Sequence, residues 1–138
     1  MTFPRMMAAG LIVLAIAAGP VLADDTYLYD TIRLPAYKAA WNAMLQGEKK
    51  LPDWVAKFAK TRDATSAPNK TLIVDGQADL LGWICKSHDC GGNEVFVLFT
   101  PDASKAWAML IVADGAPRYL GNPDATVKAA LQKAQATN

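Results

Sequence analysis

Residues 70–120 read KTLIVDGQADLLGWICKSHDCGGNEVFVLFTPDASKAWAMLIVADGAPRYL, and the spacing of apolar residues and turn formers in this stretch decides the fold. Thr71 to Val74 is a strand candidate, and Asp75-Gly76 behind it is a two-residue hairpin signal. Ala78 to Cys85 predicts a second strand and Glu94 to Thr100, rich in Val and Phe, a third. Pro101 to Ser104 makes a turn, Lys105 to Ala113 a fourth strand, Asp114-Gly115 a further hairpin signal, and Arg118 to Leu120 a short fifth strand. Links this short join antiparallel neighbours, so the five strands form a meander. Strands two to four are apolar on both faces (Leu80, Leu81, Trp83, Ile84; Val95 to Phe99; Trp107 to Val112), and such a sheet has to be covered on both sides.

The covers lie on either side in the chain. Upstream, Pro35 suits the first turn of a helix and Gly47 its end. Leu34, Tyr37, Trp41, Met44 and Leu45 recur on one face of it. A shorter helix from Pro52 to about Lys60 turns Trp54, Val55 and Phe58 inward. Thr61 to Asn69 is a polar connection that contains a glycosylation sequon, Asn69-Lys70-Thr71. Downstream, Asn122 is positioned to cap a final helix with Pro123 at its first position and Val127, Ala130, Leu131 and Ala134 on its apolar side. The expected architecture is α+β: a five-stranded antiparallel meander sandwiched between helices in three layers.

The first 23 residues read as a secretory signal. Arg5 gives a positive start, Met6 to Ala18 is an apolar run, Gly19-Pro20 ends it, and Val21-Leu22-Ala23 offers a cleavage site after Ala23. The run is shorter than the roughly 20 residues a spanning helix needs, and no cysteine follows it for lipid attachment, so no membrane anchor is expected. Residues 24–138 then make a single domain of ordinary size. Without Arg5 the acidic and basic residues are equal in number. That balance excludes binding to nucleic acid through its phosphates, which needs a basic excess.

Both cysteines and the only histidine fall in the link between strands two and three, Cys85-Lys86-Ser87-His88-Asp89-Cys90, which continues as Gly91-Gly92-Asn93. In an oxidising compartment two neighbouring cysteines favour a disulfide, and a ring this small stabilises by about 2 kcal/mol. A tied loop flanked by glycines also loses little entropy on meeting a partner. A thiol or metal protein using Cys85, His88 and Cys90 is the other reading. The C-x4-C spacing differs from the C-x-x-C of oxidoreductases. A structural zinc site wants four ligands, and three soft ones are present. No cofactor and no metal are expected. With one histidine and no G-x-S-x-G motif, neither is enzymatic activity.

The hexapeptide resembles the C-K-P-H-D-C loop of the inhibitor of vertebrate lysozyme (Ivy) family. Leu51-Pro52-Asp53-Trp54-Val55 is similar to that family's L-P-x-W-V stretch, and the order helix–helix–meander–helix agrees with its fold. The resemblance implies a periplasmic protein whose partner is lysozyme, c-type above all, and it admits a homodimer. It also implies that the loop enters the enzyme's cleft, where His88 reaches the two catalytic carboxylates and Asp89 lies at the rim. Cys85 and Cys90 would fix the loop, with Lys86 a further contact. Lysozyme works with a protonated and an ionised carboxyl group across the scissile bond, and one imidazole can hydrogen-bond to both. Ser87 stands where the motif has proline and lacks that residue's fixed φ. A non-inhibitory envelope protein of the same fold is the alternative within the family.

Overall fold

The computed structural model describes residues 26–138, so the expected leader and its expected cleavage site lie outside the described residues. Four helices precede the strands: α1 (Leu28–Thr31), α2 (Pro35–Leu45), α3 (Asp53–Ala56) and α4 (Phe58–Thr61). Then follow β1 (Thr65–Ser66), β2 (Lys70–Val74), β3 (Gln77–Cys85), β4 (Glu94–Phe99), β5 (Ala106–Ile111), β6 (Arg118–Leu120) and α5 (Ala125–Ala136). All pairings are antiparallel and the sheet is open, with β3, β4, β5 and β6 in sequence order. The class is α+β, as the sequence predicts. None of the described helices is long and apolar enough to cross a membrane.

Strict alternation divides the core. Val95, Val97 and Phe99 of β4, with Ala106, Ala108 and Leu110 of β5, face Leu28, Tyr37, Trp41, Val55 and Phe58 of the first four helices and Ile32 just after α1. Phe96 and Leu98, with Met109 and Ile111, face Val127, Leu131 and Ala134 of α5. On the first face Tyr37 meets Phe99 edge-on at 5.1 Å and Trp41 meets Phe58 at 5.3 Å between ring centres. Gly82 is small for a reason: a Cβ there would lie 3.1 Å from Leu28 Cδ1 and 3.2 Å from Val97 Cγ1, so α1 could not sit as close to β3.

The differences from the expected elements have local causes. A sixth strand, β1, falls inside the expected polar connection and pairs Thr65 with Cys85 and Ser66 with Ile84. Ser66 Oγ donates to the Trp83 carbonyl and accepts the Leu28 amide, so a hydroxyl, not an apolar pattern, sets this edge. The unexpected α1 is held by Asn69, whose amide donates to Thr26 Oγ1 (3.1 Å) and Thr31 Oγ1 (2.8 Å). Asn69 is 2% exposed, which closes the sequon in the folded chain. The helix expected from Pro52 to Lys60 is broken at Lys57 into α3 and α4. The final helix begins later than expected. Asn122 has φ 55°, and Asp124 is the cap, accepting the Val127 amide at 2.9 Å. Leu34, expected on the apolar face, is 39% exposed.

Asp79 sits on the α5 face of β3 opposite Leu72, 3% exposed, and its Oδ1 has no partner. Burial pushes its carboxyl up to about 6. From about pH 4 to that value the folded chain holds a proton that the unfolded chain has released, so stability falls as pH rises through this window. A shift of about two units corresponds to roughly 3 kcal/mol. Asp79→Asn removes the charge at nearly constant volume, and calorimetry at pH 4.5 and 7.5 is expected to show the variant more stable at the higher pH, with the difference between the two pH values largely gone. The same pH difference as in the parent would contradict this. Asp102, held down to about 2 by hydrogen bonds from Ser104 and Thr100, acts in the opposite sense and below this window.

Candidate functional site: the Cys85–Cys90 loop

The loop consists of two consecutive turns hung between β3 and β4. Lys86 donates its amide to the Asn93 carbonyl at 3.0 Å, the last rung before the chain leaves the sheet. The Asp89 amide then bonds back to the Lys86 carbonyl at 3.1 Å. Within that turn only His88 has positive φ, at 63°, which is the pattern of a type II turn with Ser87 second and His88 third. The Asn93 amide bonds back to the Cys90 carbonyl at 3.1 Å with Gly92 at φ 73°, so the same turn type repeats at once. Cys85 and Cys90 are joined by a disulfide across the base of the first turn. Both sulfurs are therefore committed, and the reading of a thiol or metal protein falls away.

The third position of a type II turn favours glycine, and a non-glycine residue there costs about 1 kcal/mol. Histidine is among the side chains that tolerate it better. The chain places its one histidine at this point and its glycines three and four residues later. His88 is exposed, and its imidazole makes no hydrogen bond or ion pair with any described residue. Asp89 and Cys90 are exposed too, whereas Cys85 is buried. The outcome is a projecting imidazole on a base that cannot bend freely.

Lys86 and Asp89 close the first turn with an ion pair at 3.2 Å, and Ser87 Oγ donates to Asp63 Oδ1 at 2.8 Å. The base is held by a residue that sequence reasoning passed over. Asn93, 8% exposed, donates through Nδ2 to the carbonyls of Asp89 (3.2 Å) and Gly91 (3.5 Å). Its Oδ1 accepts the Ala113 amide at 3.0 Å. Next to it the Asp114 amide bonds to the Gly92 carbonyl at 3.0 Å, and a Cβ on Gly92 would lie 2.4 Å from the Asp114 carboxylate. The loop is thereby tied to the link between β5 and β6. The one signal for Asn93 in the sequence was an amide side chain after two glycines, which reads equally well as a turn filler. No group of three or more His, Cys, Asp and Glu among the described residues is arranged to hold a metal ion.

Residues 36–137 match the family model described as inhibitor of vertebrate lysozyme. The chain belongs to the inhibitor of vertebrate lysozyme (Ivy) family. An inhibitor of vertebrate lysozyme from Pseudomonas aeruginosa is 30% identical to it, over 94% of this chain and 91% of that protein. The inhibitor of vertebrate lysozyme of Escherichia coli K12 is 29% identical over 73% of this chain, which spans 60% of that protein's length. An uncharacterised protein of Yersinia pestis is 34% identical over 75% of this chain and 64% of its own. The Ivy family is one of inhibitors, and membership makes this protein a non-enzyme.

Proposed function

We propose that this protein is an exported inhibitor of lysozyme that acts in the periplasm, as a single domain spanning residues 24–138, by seating its Cys85–Cys90 loop in the enzyme's catalytic cleft. The observation that carries the reading is His88: an exposed imidazole at a strained turn position, braced by a disulfide and by Asn93, in a chain of the Ivy family. Its chemistry suits the target. One imidazole offers two nitrogens to the acid and the carboxylate that face each other across the glycosidic bond, and charge-assisted hydrogen bonds result if it is protonated. Asp89 and Lys86, paired with each other, would lie at the rim of the cleft, and Ser87 beside His88 at the tip.

A preordered plug gains affinity because little conformational entropy is lost on docking. One chain carries the whole loop, so the reading needs no second copy. The c-type enzymes are the expected target. The test is residual activity of a c-type lysozyme titrated with the oxidised protein lacking residues 1–23. Loss of activity near equimolar amounts is the expected result, and full activity in large excess of folded protein would overturn the reading.

A further inference from the structure

Ser87 holds the second position of the Lys86–Asp89 turn, where φ is about −60° and proline fits best. Serine leaves that angle free, so the turn relies on restraints besides its own backbone. Beyond the ring, the ion pair and Asn93, one comes from a residue 24 positions upstream, through the 2.8 Å hydrogen bond from Ser87 Oγ to Asp63 Oδ1. Asp63 is itself placed by its neighbours. Arg62 before it takes the left-handed conformation (φ 56°), which ends α4 and turns the chain. The Asp63 amide donates to Thr61 Oγ1 at 3.3 Å. Two residues later Thr65 pairs with Cys85, the first cysteine of the ring. The carboxylate thus reaches the loop from the same strip of chain that forms the sheet edge beneath the disulfide.

We infer that Asp63 is a positioning residue of the inhibitory loop: its carboxylate holds Ser87, and so sets the direction in which His88 projects. The inference deepens the lysozyme reading and rests on it. A proline at 87 would fix one backbone angle. The Ser87–Asp63 bond does that work through a side chain and also ties the tip to the body of the protein, which a ring does not. Asp63 is exposed, so its removal leaves the core intact.

The test compares Asp63→Ala, Ser87→Ala, Ser87→Pro and the double variant Asp63→Ala/Ser87→Pro, by two readouts. Backbone 15N relaxation in the free protein reports the order of residues 87–89, and titration of a c-type lysozyme reports inhibition. Asp63→Ala and Ser87→Ala are each expected to loosen residues 87–89 and to weaken inhibition about three- to fivefold, the range of one modest hydrogen bond. With proline at 87, removing Asp63 is expected to change neither loop order nor inhibition. Unchanged order at 87–89 in Asp63→Ala would overturn the inference. So would an equal loss of inhibition on removing Asp63 from the Ser87→Pro protein, since Asp63 would then touch the target itself. If the parent protein does not inhibit lysozyme, the lysozyme reading fails, and the relaxation measurement alone decides whether Asp63 orders the loop.

Discussion

His88→Ala is expected to weaken inhibition of a c-type lysozyme about 100-fold or more, the loss typical of a central contact costing about 3 kcal/mol. The fold should be untouched. His88 is exposed and its side chain bonds to no described residue, so truncating it leaves neither a cavity nor an unpaired buried group. His88→Gly sharpens the comparison. Glycine takes the positive φ of this position without strain, so that variant is expected to melt a few degrees higher while inhibiting no better than the alanine variant. Function and stability then move in opposite directions at one residue, an outcome that a histidine serving only the turn would not give. Potency equal to the parent in both variants would exclude His88 as the key contact.

Opening the Cys85–Cys90 ring is the second large effect. Reduction, or the pair Cys85→Ala and Cys90→Ser, is expected to weaken inhibition about tenfold and to lower stability by about 2 kcal/mol. The loss should be smaller than for His88 because the ring is one of several restraints. Both turns, the Asn93 bracket and the Ser87–Asp63 bond remain when the sulfurs part. The check is a titration in reductant with the thiols counted as free. Unchanged potency under those conditions would mean that the hydrogen bonds alone keep the loop in shape.

Much of the fold was legible because β3 to β5 are apolar runs buried on both faces and bounded by turn formers, and because Asp75-Gly76 is a turn whose two positive φ angles, 51° and 76°, those residues accommodate. The hexapeptide was legible as a ring for a similar reason: two cysteines so close together can hardly do otherwise in an oxidising setting. What escaped was set by single polar side chains acting at a distance. The two residues of β1 and the four of α1 carry no periodic pattern, and they are placed by Ser66 and Asn69 through bonds that span 17 and 38 residues. The start of α5 was ambiguous for a different reason. Asn122 and Asp124 are both good caps around Pro123, and only the backbone at Asn122 decides between them. At the site, the hexapeptide pointed to His88, but the residues that aim it, Asn93 and Asp63, have no signature that local sequence could supply.

Entry of the loop into the catalytic cleft is tested by titrating 15N-labelled protein with an unlabelled c-type lysozyme and then adding an oligosaccharide that fills the cleft. Resonances of residues 85–93, the His88 ring among them, are predicted to shift on binding and to return toward their free positions as the oligosaccharide displaces the loop. Shifts confined to other surfaces, or binding indifferent to the oligosaccharide, would contradict it.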